Sequence, residues 1–424
     1  MSRPGGRRVV VTGLGAVTPV GNDVAATWRA LLEGRSGGAT ITKFDPERFA
    51  VKFACEVKGF DAGEYMDRKE AKRADLYTQY AMAASVQAMR DAGFGDGTGP
   101  GTGYVPEETG VIIGSGIGGL RTMEEQIAGY LAHGPKRISP FFVPMFIADI
   151  AAGVVSMRFG AKGPNFATVS ACSTSAHAIG IGFRAIQHGE ADVMIVGGSE
   201  AAVTPMSIGG FASMGALSTR NDSPETASRP FDATRDGFVM GEGAGVVVLE
   251  ALDHALARGA RIHGELAGYA ATGDAYHLTG QPEAHEGLQR SMRRALRDAG
   301  LAPEDVDYVN AHGTSTPLND PNEARAIRAV FGEHADRLAV SSTKSATGHM
   351  LGAAGVVEFI ACALAIRDGV VPPTINHATP DPAIALDVTP NTPRPHRVSV
   401  ALSNSSGFGG HNATLALRSY DGGH

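Results

Sequence analysis

Cys172 stands where a short apolar stretch gives way to a helix-forming one, a position at which a thiol can act as a nucleophile. Residues 164–175 read Pro-Asn-Phe-Ala-Thr-Val-Ser-Ala-Cys-Ser-Thr-Ser, and the small and apolar residues that follow, up to Gly189, predict a buried helix. The N–H groups and the dipole at a helix N-terminus stabilise an anion. The sequence therefore predicts a thiolate at Cys172 near neutral pH, although an isolated cysteine is more often an inert buried side chain.

Two histidines follow buried segments later in the chain. His312 comes after the apolar stretch 308–311 and precedes Gly-Thr-Ser-Thr, which places it at the C-terminal edge of a sheet, where open α/β sheets bind their ligands. A structural, hydrogen-bonded histidine is the alternative for His312. His349 precedes a second helix of small residues, and that helix N-terminus predicts a neutral imidazole that donates a hydrogen bond.

A lysine and a glycine loop complete the set of groups that could do chemistry. Lys344 is the only charge in the run 341–355; a buried lysine needs a partner, and Glu358 is the nearest carboxylate on the following helix. Residues 403–412 read Ser-Asn-Ser-Ser-Gly-Phe-Gly-Gly-His-Asn. Successive backbone N–H groups in such a loop can form an oxyanion hole, and a plain glycine turn is the alternative.

The composition bounds the class of protein. The 424 residues are 43% hydrophobic and 19% charged with a net charge of −7, which disfavours a general role on nucleic acids or membrane surfaces. The three cysteines include no CxxC pair and cannot all be disulfide-bonded, so a reducing cytoplasm is predicted. Apolar runs fall short of the ~18 residues of a membrane span.

Strands and helices alternate along the chain, which predicts a largely parallel sheet covered by helices on both faces. Apolar runs at 8–12, 109–114, 192–197 and 245–250 predict strands, the first ending in a glycine turn. Residues 78–93 predict a helix with a face of small residues and a glycine stop. These elements provide the strand ends and helix starts at which Cys172 and the histidines stand.

The same elements then recur, which indicates an ancient duplication. Residues 88–94 match 295–301, and each match is followed by a strand. Cys172 precedes Gly189 by 17 residues, and Gly352 precedes Gly369 by 17. Chance similarity of two amphipathic helices is the alternative. The duplication predicts two halves, 1–260 and 261–424, with insertions at 18–80, 117–150 and 200–240, and it brings His349 next to Cys172.

Two further motifs have competing interpretations. Residues 114–119 read Gly-Ser-Gly-Ile-Gly-Gly, the pattern of a dinucleotide-binding turn, but no acidic residue stands about 20 positions later, so a close-packed turn lining a pocket is favoured. Residues 68–73 read Arg-Lys-Glu-Ala-Lys-Arg. Such a basic run is usually a solvated helix face, and the functional alternative is a dock for an acidic partner.

Taken in order, the Cys, His-Gly-Thr, Lys with Gly-His, and Gly-Phe-Gly-Gly motifs resemble the β-ketoacyl-acyl-carrier-protein synthases, the elongating condensing enzymes. The likeness spans residues 9–412, and the patterns at 229–232, 235–238 and 274–277 are closest to the synthase II subgroup of dissociated fatty-acid synthesis. It implies an α/β, thiolase-like, five-layered αβαβα fold with an internal pseudo-two-fold duplication, in a cytoplasmic homodimer. The implied reaction is a decarboxylative Claisen condensation of acyl-carrier protein with malonyl-carrier protein.

The resemblance also implies a role for each catalytic residue. Cys172 would take the acyl chain, while His312 and His349 would polarise the malonyl thioester and stabilise its enolate. Lys344 would set the electrostatics of the site together with Glu358. The implied oxyanion hole consists of the backbone N–H groups of Cys172 and Phe408.

Binding residues are implied in the same way. Phe408 would gate acyl entry, Ile117 and Phe211 would line the acyl pocket, and the phosphopantetheine arm would contact Thr279, Thr314 and Thr316. The acidic acyl-carrier protein would dock on Arg68, Lys69, Lys72 and Arg73, with Arg220 as a weaker candidate. No cofactor is required, but related enzymes carry a structural monovalent cation, K⁺ or Na⁺, near positions matching Asn310, Glu358, Ser403 and Asn404.

Several alternatives to fatty-acid elongation remain at this point. A ketosynthase subunit of a dissociated polyketide system would use the same residues, whereas a thiolase would need a second cysteine and a starter synthase an Asn in place of His349. A non-catalytic subunit like the chain-length factors would lack the nucleophile. Many relatives read Thr-Ala-Cys-Ala-Thr where this chain has Ser170 and Ser173 around Cys172, and these two hydroxyls bear on substrate preference.

Overall fold

A computed structural model describes residues 6–97 and 103–422 of the chain. Within these ranges the strands are β1 (Val9–Val17), β2 (Ala39–Thr40), β3 (Phe53–Ala54), β4 (Thr109–Gly114), β5 (Asn165–Phe166), β6 (Val193–Glu200), β7 (Gly243–Ala251), β8 (Gly264–Gly273), β9 (Tyr308–Asn310), β10 (Ala339–Ser341), β11 (Val370–Val371), β12 (Arg394–Pro395), β13 (Val400–Gly407) and β14 (His411–Arg418). Two short ribbons, β2 with β3 and β11 with β12, stand apart from the large sheet that the other strands form.

Helices lie between most of these strands. In the same ranges they are α1 (Val24–Leu32), α2 (Arg68–Ala71), α3 (Leu76–Asp91), α4 (Leu120–His133), α5 (Phe142–Phe146), α6 (Ile150–Phe159), α7 (Thr174–His188), α8 (Pro205–Ser213), α9 (Pro224–Ala227), α10 (Leu252–Ala257), α11 (Glu286–Ala299), α12 (Asn319–Phe331), α13 (Lys344–Thr347) and α14 (Ala354–Asp368). None of the described helices combines the length and the apolar character needed to cross a bilayer.

The large sheet contains the same arrangement twice. Its strand order is β10-β9-β13-β14-β8-β1-β7-β6-β4-β5, so it reads outward from the central β1 and β8 in matching order on the two sides. β1 and β8 pair directly and antiparallel, and this pairing makes the two half-sheets continuous. The predicted boundary at 260/261 falls between α10 and β8; the division into two domains stays a prediction, and the ends of both halves extend beyond the described residues.

Helices and half-sheets alternate as five layers. On one outer face, α3 and α6 cover the half-sheet of β1, β7, β6 and β4. On the opposite outer face, α11 and α12 flank the half-sheet that contains β8 and β14. Between the half-sheets, α7 and α14 pack against each other. Both central helices are lined with small residues, and Gly355 shows why: a Cβ there would lie 3.1 Å from Ala176 of α7.

The prediction of a largely parallel sheet is wrong. β4 pairs in parallel with β5 and β6, and β9 with β10 and β13, but β7 and β14 run antiparallel to their neighbours. The reason lies in two connections without a crossover helix. A tight hairpin joins β13 to β14, and the long segment 201–242, which contains only the short helices α8 and α9, returns the chain antiparallel from β6 to β7.

The first strand also extends beyond its predicted end at residue 12. β1 continues through Gly13 and Gly15 to Val17. A Cβ at Gly13 would lie 2.1 Å from the carbonyl oxygen of Ala88, and one at Gly15 would lie 1.9 Å from that of Ala84. These glycines therefore let the backbone of α3 approach the strand and do not form a turn.

Candidate active site

One cavity of about 340 Å³ opens where the C-terminal ends of β4, β6, β9 and β13 meet the N-terminal ends of α7 and α14. It is lined mainly by apolar side chains, as ligand sites usually are. The structure brings many of the predicted residues to its wall: Ile117, Cys172, Phe211, Thr279, His312, Thr314, Thr316, His349 and Phe408. Lys344, Glu358, Asn310, Ser403 and Asn404 lie outside this lining.

Cys172 sits on a 3₁₀ turn, Ala171–Ser173, that leads directly into α7. Ala171 has a φ of +50°, a strained value for a residue with a side chain, and the Ser170 N–H donates to Thr174 Oγ1 at 2.9 Å. The second half contains the same kind of strained turn: the turn Leu351–Ala353 precedes α14, and Leu351 has a φ of +46°. This equivalence supports the predicted duplication and puts Cys172 and Gly352 at matching positions.

Burial opposes the thiolate that the helix N-terminus predicts at Cys172. Cys172 is buried, and burial among apolar side chains raises the pKa of its thiol to about 12. The positive charge of Lys344 lowers that pKa, Glu200 raises it, and the backbone N–H groups of Phe408 and Cys172 lower it. Both N–H groups therefore lie close to the sulfur, and their use as an oxyanion hole stays a prediction.

His312 and His349 meet in the cavity at right angles, with ring centroids 5.4 Å apart and planes at 86°. Burial lowers the pKa of both imidazoles well below 6.5, and the charge of Lys344 lowers them further. The sequence predicted a neutral His349 from a helix N-terminus, and the structure makes burial the larger cause. Phe238 stacks edge-on against His349 at 5.3 Å and helps to fix that ring.

Lys344 lies behind the histidines, 1% exposed, at the start of the short helix α13. Its Nζ donates to Glu358 Oε1, so the structure joins the predicted pair. Burial raises the pKa of Glu358, and Lys344 opposes that shift. In this ion pair the positive charge of Lys344 stays close enough to act on Cys172 and both histidines, although neither Lys344 nor Glu358 lines the cavity.

The glycine loop is the hairpin between β13 and β14. Gly409 and Gly410 have φ values of +83° and +75°, which glycine adopts without strain, and the Gly410 N–H donates to the carbonyl oxygen of Gly407 at 3.1 Å. Ser173 Oγ donates to the carbonyl oxygen of His411 at 2.8 Å and ties the nucleophile turn to the loop. The loop thereby carries Phe408 over Cys172.

Hydroxyls and aromatic rings both contribute to the cavity wall. Thr314 and Thr316 share a hydrogen bond of 3.0 Å between their Oγ1 atoms, and Thr279 also lines the cavity. Phe211 contacts Phe408 at a centroid distance of 6.3 Å. A polar stretch and an apolar stretch in one cavity suit a ligand that has both a hydrogen-bonding arm and a hydrocarbon chain.

The four predicted cation ligands lie on neighbouring elements. Ser403 pairs with Asn310 across β13 and β9, Asn404 follows Ser403, and α14, which carries Glu358, packs against both strands. Both polar side-chain atoms of Asn310, Oγ of Ser403 and Oε2 of Glu358 are buried without a protein partner. Orphaned amide, hydroxyl and carboxylate oxygens fit a monovalent cation, although the described residues contain no cluster of three His, Cys, Asp or Glu side chains of the kind that holds a transition metal.

Two buried carboxylates were missed by the sequence reasoning. Glu323 of α12 accepts the N–H groups of His312 and Gly313, each at 2.8 Å, and so orients the turn that carries His312. Glu200 accepts N–H groups of the glycine-rich turn at 116–117. An acid closing the apolar strand β6 was a signal that could have found Glu200; nothing in the sequence around Glu323 distinguishes it from a surface residue.

The glycine-rich motif at 114–119 is a close-packed turn at the cavity wall, as favoured over a nucleotide site. The basic run lies on the surface, where Arg68, Lys69, Lys72 and Arg73 are all exposed. The guanidinium of Arg73 lies 4.5 Å from the centroid of the Phe141 ring. Arg220 is half-buried, 3.6 Å from Asp236, and donates to the carbonyl oxygen of Thr234, so its charge is already engaged.

Comparisons with known proteins match the chain to one family along most of its length. A family model described as "Beta-ketoacyl synthase, N-terminal domain" matches residues 6–255, and one described as "Beta-ketoacyl synthase, C-terminal domain" matches residues 263–378. The 3-oxoacyl-[acyl-carrier-protein] synthase 2 of Synechocystis sp. is 54% identical over 98% of each chain. The enzyme of that name from Coxiella burnetii is 52% identical over 97% of this chain and 98% of its own.

Solved structures agree with this likeness. A β-ketoacyl synthase from Burkholderia phymatum is 35% identical, with a TM-score of 0.90 over 98% of this chain and 100% of its own. A ketosynthase of a type II polyketide synthase, solved in complex with its acyl-carrier protein, is 37% identical with a TM-score of 0.90 over the same shares.

Proposed function

The chain belongs to the β-ketoacyl synthase family, and we propose that Cys172, His312 and His349 perform its condensation reaction. The enzyme is an acyltransferase of fatty-acid elongation with a thiolase-like fold, as the sequence predicted. It condenses an acyl group with malonyl-[acyl-carrier protein], giving 3-oxoacyl-[acyl-carrier protein] and carbon dioxide. The observation that carries the assignment of residues is the single cavity in which the thiol, two neutral imidazoles and the glycine loop meet.

Acyl transfer comes first. The Cys172 sulfur attacks the carbonyl carbon of the acyl thioester, the pantetheine sulfur leaves, and the thiol proton ends on that leaving sulfur. Because burial keeps the resting thiol protonated, this proton must move as the new bond forms, and the two neutral imidazoles are bases within the cavity. The N–H groups of Cys172 and Phe408 would stabilise the negative charge on the carbonyl oxygen.

Condensation follows in the same cavity. The bond between the malonyl α-carbon and its carboxylate breaks, carbon dioxide leaves, and the electron pair forms an enolate on the thioester. Neutral N–H donors at His312 and His349 stabilise the charge that develops on the thioester oxygen. The α-carbon then attacks the acyl carbonyl, and the Cys172 thiolate departs and takes up a proton from water. Lys344 lies outside the cavity lining and acts through its charge, which adds to burial in keeping the two histidines neutral.

The acyl and carrier arms would occupy different walls. Ile117 and Phe211 would contact the hydrocarbon chain, Phe408 would gate its entry, and Thr279, Thr314 and Thr316 would hydrogen-bond the phosphopantetheine that the carrier-bound substrates bring. A cation at Asn310, Glu358, Ser403 and Asn404 would satisfy the buried polar atoms beneath the site. Apart from that ion, the proposal needs no cofactor, because each step is carried by side chains and substrates.

Homodimer formation and a cytoplasmic location belong to this proposal. A set of large apolar side chains is exposed near the sheet edge at β5 and along α4, as a subunit interface would require: Ile127, Tyr130, Leu131, Val143, Phe166 and Val169. The three cysteines are free thiols. Such thiols suit a reducing compartment.

Docking of the acidic carrier protein gives a testable expectation. Because the enzyme has a net charge of −7, a local basic patch must attract the carrier. The double variant Lys69→Glu with Arg73→Glu is expected to raise KM for carrier-bound substrate about tenfold and to flatten its dependence on salt, which screens exposed charges over ~8 Å at physiological ionic strength. Steady-state kinetics at several salt concentrations measure both effects.

A matched control lies on the outer face of α11. Arg294 and Arg297 are exposed there, so Arg294→Glu with Arg297→Glu makes the same change in net charge away from α2. Kinetics with that control, and of the docking variant with a small pantetheine thioester, should stay near wild type. An equal loss with carrier-bound and small thioesters would overturn the docking assignment.

The overall function is tested by the products. Wild-type enzyme supplied with malonyl-carrier protein and a series of acyl primers should release carbon dioxide and give products two carbons longer, detected by mass spectrometry. Repeated extension of one unreduced chain would favour the polyketide alternative. Absence of an acyl adduct on Cys172 with every primer would instead indicate the non-catalytic subunit.

A further inference from the structure

One buried carboxylate outside the reaction scheme connects three segments of the site. Glu200 ends β6 and is 0% exposed. Its oxygens accept four hydrogen bonds: from Ser115 Oγ at 2.9 Å, from the backbone N–H groups of Gly116 and Ile117 at 2.8 and 3.2 Å, and from the N–H of Gly352 at 3.0 Å. Each donor belongs to a segment next to a residue that lines the cavity.

The packing around this carboxylate leaves no room for adjustment. A Cβ at Gly116 would lie 2.8 Å from Glu200 Oε2 and 3.5 Å from the carbonyl oxygen of Ala171, and one at Gly352 would lie 2.5 Å from the Gly116 nitrogen. The turn of Ile117 and the turn after His349 therefore meet at Glu200, and the turn of Cys172 packs against Gly116 beside them. A movement of the carboxylate would displace the first two turns directly and the turn of Cys172 through Gly116.

We propose that Glu200 is a positioning residue that fixes the Ile117 wall of the acyl cavity and sets the charge around Cys172. The inference rests on the proposed function, because it assigns Ile117 to the acyl chain and Cys172 to the nucleophile. The four donors come from both halves of the molecule. By accepting their hydrogen bonds, the Glu200 side chain holds the Ile117 turn and the turn after His349 in fixed positions relative to each other.

The negative charge of Glu200 also acts on the Cys172 thiol. The charged groups that act on the Cys172 sulfur are Lys344, which lowers the thiol pKa, and Glu200, which raises it. Burial raises the pKa of Glu200 to about 7, and its four donors oppose that shift. Burial is the larger reason that Cys172 rests as a protonated thiol, and the charge of ionised Glu200 adds to it.

Glu200→Gln separates these effects from simple loss of structure. The amide has nearly the same shape, but its NH₂ group faces backbone donors, so some of the four bonds are lost. Removing the charge should lower the thiol pKa, because Glu200 raises it. The fraction of thiolate then rises by more than its intrinsic nucleophilicity falls, so iodoacetamide should label Cys172 about threefold faster at pH 8. Mass spectrometry of the labelled peptide measures this rate without any turnover.

The second readout is the acyl preference. With the Ile117 turn released, the ratio of kcat/KM for hexadecanoyl- over decanoyl-carrier protein should move toward one by about threefold or more. Ser115→Ala removes one neutral donor and keeps the charge, so it should shift the acyl preference in the same direction and leave the labelling rate unchanged. Glu265→Gln, which alters a carboxylate 5% exposed at the remote end of β8, should change neither.

Unchanged labelling and unchanged acyl preference in Glu200→Gln would overturn the inference, as would the same two shifts in Glu265→Gln. If Glu200→Gln does not fold, Ser115→Ala decides the positioning role, and an unaltered acyl preference there would overturn it. Failure of the proposed function is distinct from these results, because the wild-type enzyme itself would then form no acyl adduct at Cys172.

Discussion

Cys172→Ala is expected to abolish chain elongation, because the reaction needs a sulfur that can both attack a thioester and leave from one. Cys172 lines the cavity, whereas Cys55 and Cys362 are buried elsewhere. The rate should fall to background, a loss on the order of 10⁵-fold or more. Incubation with acyl-carrier protein followed by intact-protein mass spectrometry should show an acyl adduct on the wild type and none on the variant.

Cys172→Gln sharpens this expectation. An amide at residue 172 resembles an acylated sulfur, so malonyl decarboxylation should continue in this variant although condensation is lost. Cys55→Ala and Cys362→Ala are matched controls, since each removes a buried thiol outside the cavity and should retain the acyl adduct at Cys172. Equal alkylation of all three cysteines by iodoacetamide, or an adduct on Cys172→Ala, would contradict the assignment of the nucleophile.

The duplicated pattern explains how much of the site could be predicted from the sequence. Cys172 and Gly352 precede equivalent helices, and the internal match alone predicts that His349 lies beside Cys172. The structure puts both at the cavity and repeats the strained turn at Ala171 and Leu351. Apolar segments predicted the strands β4 and β6 and the helix α3. Burial of a strand or of one helix face requires apolar residues at regular intervals, and these intervals are visible in the sequence.

Long-range electrostatics and connections could not be predicted in this way. The helix N-terminus at Cys172 suggested a thiolate, but the sequence does not say how much apolar surface surrounds the sulfur, and that surface raises the pKa. Likewise, alternating strands and helices suggested a parallel sheet, whereas β7 and β14 arrive through a long loop and a hairpin. Glu200 accepts backbone N–H groups more than 80 residues away in sequence, and Glu323 accepts those of a turn 10–11 residues before it; no pattern in the sequence records these partners.

His312→Ala and His349→Ala are each expected to slow malonyl decarboxylation about 100-fold, since loss of one aligned donor to a developing oxyanion costs about 3 kcal/mol. Acyl transfer should fall much less, because the remaining imidazole can still accept the Cys172 proton and no enolate forms in that half-reaction. Single-turnover acylation and release of carbon dioxide from malonyl-carrier protein, measured on the same preparations, separate the two steps.

A hydrogen-bond donor at residue 349 should restore part of the lost decarboxylation rate. His349→Asn retains an N–H group, and its decarboxylation should therefore exceed that of His349→Ala.

The pH dependence of decarboxylation tests the same roles. Burial and Lys344 hold both imidazole pKa values well below 6.5, so the neutral donors persist as the pH falls through that value. Wild-type decarboxylation should consequently show no loss with a midpoint near pH 6.5. Equal losses of acylation and decarboxylation in the alanine variants would refute this division between thiol and imidazole, since a common loss would mean that the histidines support the cavity and do not stabilise the enolate.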